Sequence, residues 1–306
     1  MSKSLGWIGV PTSMGAFAPG QKKGPGALRN AGLVEKLSRA GIDVVDHGEG
    51  DVRRWRPDKN NRRAQNLSEV AEIARETSRR VRVARETGDL PLVIGGDCTI
   101  ELGTVAGVVS SGRRPGLIYF DVHPDLNVPG SVREGALDWM GVAHMLGEDG
   151  AAQKLSHFGP RFPLLEDDAV FLFSYGPEQA TRWEREVMER RGLKKLPVGE
   201  VADDPEGAAT RALEEMERRF DRLLVHFDVD TVDFTDLPLS ENTGRNEGLP
   251  FDVAIRALGT LLESERLVGV TVTEFNPDHG AEDGSTAGAL ANGITRALSR
   301  SPVLRG

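Results

Sequence analysis

The chain has 306 residues, one cysteine, and 47 acidic against 38 basic side chains for a net charge of −9. That length suits one large α/β domain or two small ones, and the acidic balance argues against a nucleic-acid partner. A lone cysteine excludes an internal disulfide, and no stretch nears the ~18 apolar residues of a membrane span, so a cytoplasmic protein with no membrane partner is expected.

Residues 5–10 (L-G-W-I-G-V) read as a first strand, and the Gly- and Pro-rich residues 11–26 read as loop. A helix is predicted over 27–40, with Leu28, Leu33, Val34 and Leu37 on its apolar side and Gly41 ending it, before a second strand at 42–45. Residues 48–67 are charged and poor in apolar side chains, as an exposed loop is. A long helix then spans 68–87, opened by Ser68 with Glu69 in its first turn and stopped by Gly88. Strand 91–94 runs into Gly95-Gly96-Asp97-Cys98-Thr99, where paired glycines permit close backbone approach or positive φ, and helix 101–110 follows. Strand 117–120 comes next, then loop and helix over 131–150 and strand 169–175. A charged helix is expected at 178–191, followed by strand 193–197 and helix 205–221. Strand 223–229, helix 250–264, strand 267–273 and helix 285–298 complete the chain. About eight strands alternate with helices, with no linker or fixed-period repeat. This implies one α/β domain over residues 1–306, its parallel sheet covered on both faces. Ligands of such sheets gather beyond the carboxyl ends of the strands.

The reactive side chains fall at those ends. Residues 116–129, G-L-I-Y-F-D-V-H-P-D-L-N-V-P, take a short apolar strand into Asp121, His123 and Asp125 at i, i+2 and i+4. At strand spacing these share a face, and two carboxylates with an imidazole suit a divalent first-row metal. A polar strand exit that caps the next element would use the same residues. Strand 223–229 leads similarly into Asp228, Asp230 and Asp233. Several carboxylates in one pocket repel and titrate high unless cations neutralise them. The plainer reading makes Asp233 a loop cap and Asp228 an acceptor for a backbone N–H. A third strand ends at T-E-F-N-P, residues 273–277, and adds Glu274 to the rim.

Together these stretches resemble the ureohydrolase family, which includes arginase, agmatinase and formiminoglutamase. The matching segments are G-G-D-C (95–98), D-V-H-P-D-L-N (121–127), H-F-D-V-D-T-V-D (226–233) and T-E-F-N-P (273–277). G-V-P-T-S-M-G with P-G-Q-K-K-G-P-G-A-L-R, between Gly9 and Arg29, also fits, and all stand in the family's order. The resemblance implies a three-layer α/β/α arginase-like fold with a parallel, about eight-stranded sheet, and a homo-oligomer, trimer or hexamer. It also implies two manganese ions and hydrolysis of a guanidino compound to urea by attack of a metal-bound hydroxide. Carried over by position, Asp121 and Asp228 bridge the ions, Cys98 and Asp125 complete one site, and His123 and Asp230 complete the other. Asp125 would also move the proton, Glu274 would hold the guanidinium, and Asn127 would contact a substrate carboxylate.

The departures are specific. Cys98 stands where arginase has a ligating histidine, and a thiolate prefers softer ions such as zinc or iron. A weakened first site, a different metal, a mononuclear centre and a small buried apolar cysteine are all open readings. The family's His-Gly after Asn127 is missing. Met140 precedes Gly141 instead, with Glu134, Asp138 and His144 as the polar residues nearby. Phe234 follows Asp233 in place of the usual proline. Trp139 and Arg245 are candidates for substrate contact, against a packing residue and a solvated loop arginine. His226 is read as pointing away from the metal-facing side of its strand, or into a supporting role. Rival functions are a non-catalytic or regulatory relative and a metal hydrolase of another C–N bond, formimino or amide. Glu274 favours a cationic substrate, and the cost of keeping unused buried carboxylates favours an enzyme.

Overall fold

Eight apolar runs form eight strands: β1 (Leu5–Val10), β2 (Val44–Glu49), β3 (Leu90–Gly95), β4 (Gly116–Phe120), β5 (Val170–Tyr175), β6 (Lys194–Pro197), β7 (Leu223–Asp228) and β8 (Leu267–Thr273). The structure is a computed structural model that describes residues 3–110 and 114–305. All strand pairings are parallel, in the order β2-β1-β3-β8-β7-β4-β5-β6. Every residue of β1, β3, β4, β7 and β8 is buried, because helices cover both faces of the sheet. Helix Leu67–Glu86 packs on Ile100–Val109. Pro205–Glu217, Phe251–Leu261, Ser285–Leu298 and Leu33–Arg39 form a second packed group. The three-layer α/β/α expectation holds.

Local differences from the sequence reading have identifiable causes. The helix predicted over 27–40 is two short helices, Gly24–Asn30 and Leu33–Arg39, because Gly32 adopts a left-handed φ of 75° between them. The second strand lies at Val44–Glu49 instead of 42–45. It is a half-exposed edge strand that pairs only with β1, so its apolar pattern is weak. The long helix is preceded by Asn66 and not by Ser68. Asn66 has φ 55° and spends its amide on Met14 O and Arg56 O, tying the loops to the helix start. Helix 178–191 contracts to Arg182–Arg191, since Thr181 and Glu184 close a reciprocal capping box. The helix expected within 131–150 shrinks to a turn at Asp138–Met140 and the short Gly141–Met145.

Strand order is what assembles the candidate site. After β3 the chain sets β4 three places away and builds β5 and β6 outward; β7 and β8 later fill the space between. The carboxyl ends of β3, β8, β7 and β4 are therefore side by side. They deliver Cys98, Glu274, Asp228 and Asp121 from segments up to 176 residues apart. The β3 end needs glycine. Gly95 has φ 139°, and a Cβ there would lie 2.5 Å from Val10 O; at Gly96 (φ 36°) it would lie 2.4 Å from Thr12 Cγ2. This close approach lets Gly96 O accept the Glu274 N–H at 2.9 Å. Gly95→Ala is expected to cost roughly 1–3 kcal/mol through overpacking and backbone strain. Thermal melting checks this, and an unchanged midpoint would contradict the close approach.

Candidate metal centre and substrate cavity

The loop after β3 is held by Asp97, which accepts N–H groups from Gly15 (3.0 Å) and Thr99 (3.2 Å). Asp97 thus clamps the N-terminal loop over the strand ends, and the next residue, Cys98, is buried beneath. A cavity of about 480 Å³ opens above, lined by the candidate side chains, and among the described residues no lysine or arginine lines it.

The structure brings the sequence-predicted acids together. Asp121 Oδ1 accepts the His123 N–H at 2.6 Å, and His123 Nδ1 lies 2.9 Å from Asp230 Oδ2. Asp228 Oδ1 accepts the Asp230 N–H at 2.8 Å, while its Oδ2 accepts the Cys98 thiol at 2.5 Å and the Thr273 hydroxyl at 3.3 Å. Asp121 Oδ2 and Asp230 Oδ1 are buried with no hydrogen-bond partner. Asp125 adopts φ 50°, and one of its oxygens accepts the Tyr119 hydroxyl at 2.5 Å. Glu274 also has positive φ, 63°, and both its oxygens are anchored: Oε2 by Gln21 Nε2 (3.0 Å) and Oε1 by the Cys98 N–H (2.9 Å).

Burial and like charge together perturb Cys98, Asp121, Asp125, Asp228 and Glu274. Burial first, and then the charges of Asp230, Asp228 and Asp125, push Asp121 far above the ordinary carboxylate range. Asp228 rises through burial and Asp230, and Glu274 through burial with Asp228, Asp138 and Asp97. Burial also raises Asp125, although the Tyr119 hydrogen bond opposes it. Cys98 is raised by burial and by Asp228. Burial works to lower the pKa of His123, yet the nearby Asp230 charge and hydrogen bond outweigh it and raise the value to about 10. Orphaned carboxylate oxygens, massed negative charge and a mixed oxygen, nitrogen and sulfur donor set fit divalent metal ions.

Two groups of side chains place ligand atoms within 4.8 Å of one another: Asp121, His123 and Asp230, and Cys98, Asp121, His226 and Asp228. The second overturns the reading of His226 as pointing away from the metal-facing side of its strand. Two residues apart on β7, His226 and Asp228 share a face, so the imidazole points toward the cluster. Its Nε2 lies 3.7 Å from Cys98 Sγ.

Of the polar residues near Met140, the structure brings Glu134 and Asp138 to the cavity and not His144. Met140 is wholly buried away from the cavity, and Asp138, Glu134 and Trp139 line it instead. Asp138 accepts N–H groups from Phe17 and Trp139, both at 3.0 Å. His144 is a core residue: Met140 O lies 2.6 Å from Nδ1, Nε2 accepts the Ala152 N–H, and burial lowers its pKa to about 4. Asn127 lines the cavity. Its carbonyl oxygen accepts the Ser131 and Thr181 hydroxyls, which leaves the amide N–H₂ as donor. Trp139 stacks on Phe17 at the wall, with centroids 5.5 Å apart. Arg245 is exposed and does not line the cavity. Asp233 organises its loop by accepting the N–H groups of Thr235 and Glu247.

Sequence reasoning missed Tyr119, Glu101, Gln21 and Glu184. Only Glu184 had a readable signal, the T-x-x-E capping box; its Oε1 goes on to accept the Leu126 N–H at the cavity floor.

A family model described as the Arginase family matches residues 3–299. The chain is 31% identical over 301 residues to an arginase of Bacillus caldovelox, covering 95% of this chain and 98% of that protein. It is 29% identical over 280 residues to an arginase of Brevibacillus brevis, covering 90% and 92%. A solved structure of the Bacillus caldovelox arginase superposes with a TM-score of 0.88 at 27% identity, over 97% of this chain and 98% of the other. Formimidoylglutamase from Bacillus subtilis shares the fold, with a TM-score of 0.75 at 17% identity over 98% and 88% of the two chains.

Without a cation the folded protein binds more protons than the unfolded chain. The buried carboxylates titrate high, and His123 titrates at about 10 instead of 6.5. Excess protons on the folded state make stability fall as pH rises. Chelated protein is expected to lose melting temperature steadily as pH rises from about 6.5 to about 10, the interval between the free and folded values of His123, and the metal-loaded protein much less. Parallel curves with and without chelator would count against a metal centre.

Proposed function

The chain belongs to the arginase family and is a hydrolase of C–N bonds in linear amidines, and we propose that it releases urea from a small guanidino substrate at a two-ion centre. The supporting observation is the convergence of Asp121, Asp125, Asp228, Asp230 and Glu274 on one cavity without a lysine or arginine in its lining. Bound cations, metal or substrate, relieve that concentration of charge without protonating the carboxylates.

In this reading Asp121, Asp228, His123 and Asp230 would hold the ions, Asp121, His123 and Asp230 forming an oxygen-rich group that suits manganese. Divalent ions there would supply a water of lowered pKa, so that hydroxide is available near neutral pH. The protein's own groups do the rest. Glu274, held by Gln21 and the Cys98 N–H, accepts N–H bonds from the guanidinium and fixes its plane. Asp125 takes one proton of the attacking water and returns it to the leaving nitrogen; the C–N bond then breaks to give the amine and protonated urea, whose extra proton passes to the amine, so the products are urea and an ammonium. The Tyr119 hydroxyl fixes one Asp125 oxygen and leaves the other for this transfer. Asn127 donates its amide N–H to the far end of the substrate, as a carboxylate there would require.

Urea release by manganese-loaded protein, assayed across arginine, N-hydroxyarginine, agmatine and 4-guanidinobutyrate, tests the proposal. One compound is expected to be cleaved, with the activity abolished by Asp121→Ala. Silence with manganese, zinc, iron, cobalt and nickel alike would move the assignment to another C–N bond or to a non-catalytic protein. Glu274→Gln removes the charge but keeps the shape. It is expected to lower kcat/KM about ten- to a hundred-fold, the range of a charge-assisted hydrogen bond. An unchanged kcat/KM would remove Glu274 from substrate binding.

A further inference from the structure

We propose that His226 is a metal ligand which, with Cys98, Asp121 and Asp228, makes a sulfur, nitrogen and oxygen site for a zinc-like ion beside the oxygen-rich manganese site. The inference rests on the metallohydrolase reading above and specifies which residues hold its first ion.

Geometry is the primary argument. All four side chains are buried, and their ligand atoms lie within 4.8 Å of one another, close enough to converge on one four-coordinate ion. His226 stands on β7, two residues before Asp228, and turns Nε2 toward Cys98 Sγ at 3.7 Å and Thr273 Oγ1 at 3.2 Å. Its other ring nitrogen, Nδ1, lies 3.3 Å from Glu101 Oε2. That is the arrangement of metal-bound imidazoles, which donate the distal N–H to a carboxylate and so present the opposite lone pair to the ion. The ring cannot swing away, because it stacks on Tyr119 at 4.1 Å with planes 4° apart.

Glu101 is the second observation. It is fully buried on the otherwise apolar start of helix Ile100–Val109, and its Oε1 has no partner. A carboxylate so placed is costly unless it serves the imidazole it faces. The third is Asp121 Oδ2, buried, unpartnered and carried by a residue common to both ligand groups. Asp125, which the family pattern would place around this ion, lies outside the group and gives one oxygen to Tyr119. The imidazole lost at position 98 is thus supplied from β7, two strands away in the sheet, and Asp125 is left for proton transfer. Thiolate and imidazole together favour zinc, iron(II) or cobalt(II) over manganese, whereas Asp121, His123 and Asp230 favour manganese.

The deciding measurement uses the unaltered protein with no substrate present. Metal-free protein is given one equivalent of zinc with excess manganese, and X-ray absorption is recorded at the zinc edge. One sulfur and one imidazole in the same coordination sphere are expected, because a sulfur scatterer places the zinc at Cys98. Sulfur without imidazole, or imidazole without sulfur, would overturn the proposal. Metal analysis of His226→Asn gives a second reading, expected to retain manganese while its zinc affinity falls at least a hundred-fold. Glu101→Gln should weaken zinc about ten- to a hundred-fold. Zinc affinity unchanged in His226→Asn would also overturn it. A protein with the expected sulfur and imidazole signature that hydrolyses no guanidino compound would sink the hydrolase reading alone.

Discussion

The structure depends on containing like charge that the protein itself does not neutralise. Four aspartates and a glutamate converge at the carboxyl ends of β3, β8, β7 and β4, in a cavity whose lining has no lysine or arginine among the described residues. Repulsion alone would drive these groups apart or keep them protonated. The protein instead fixes each by a local partner: the His123 N–H for Asp121, the His123 ring for Asp230, the Asp230 N–H for Asp228, Tyr119 for Asp125, and Gln21 with the Cys98 N–H for Glu274. Most of these donors are neutral. They orient the carboxylates without cancelling their charge, which preserves the attraction for cations.

Holding that geometry requires an unusual backbone. Asp125 and Glu274 both sit at left-handed φ, where a side chain costs about 1–2 kcal/mol relative to glycine. The neighbouring turn after β3 uses Gly95 and Gly96, whose missing Cβ atoms let β3 approach β1 and meet the Glu274 backbone. The strain is therefore divided: glycine wherever only the chain path matters, and a strained aspartate or glutamate wherever a carboxylate must stand at the turn. The wholly buried central strands supply the rigidity that maintains those turns.

Legibility in the sequence followed the range of the interactions. The eight strands and the acids Asp121, Asp125, Asp228, Asp230 and Glu274 were readable because a strand's apolar run and its exit are local. The break at Gly32 and the shift of the edge strand β2 were not, because one depends on a single left-handed residue and the other on the lack of a second pairing partner. Within the site the failures were of contact across strands. Tyr119 and Glu101 look like an ordinary strand aromatic and an ordinary first-turn acid until the fold stacks Tyr119 on His226 and places Glu101 behind it. Met140 attracted attention through its position before Gly141, yet its side chain belongs to the core and the cavity wall is Asp138 and Trp139.

The contacts around Cys98 make sense as a set. A thiol is smaller than an imidazole, so cysteine at the β3 turn leaves space that a histidine from β7 can enter. That histidine needs an acceptor for its second nitrogen, which Glu101 provides, and a flat surface, which Tyr119 provides. Tyr119 in turn carries a hydroxyl that reaches Asp125. Each residue supplies the condition for the next, and removing any one leaves a buried polar group without its partner, at a cost of about 1–3 kcal/mol. Cys98 is accordingly surrounded by polar groups: Asp228, Thr273 and His226 lie around its sulfur, and Glu274 accepts its N–H.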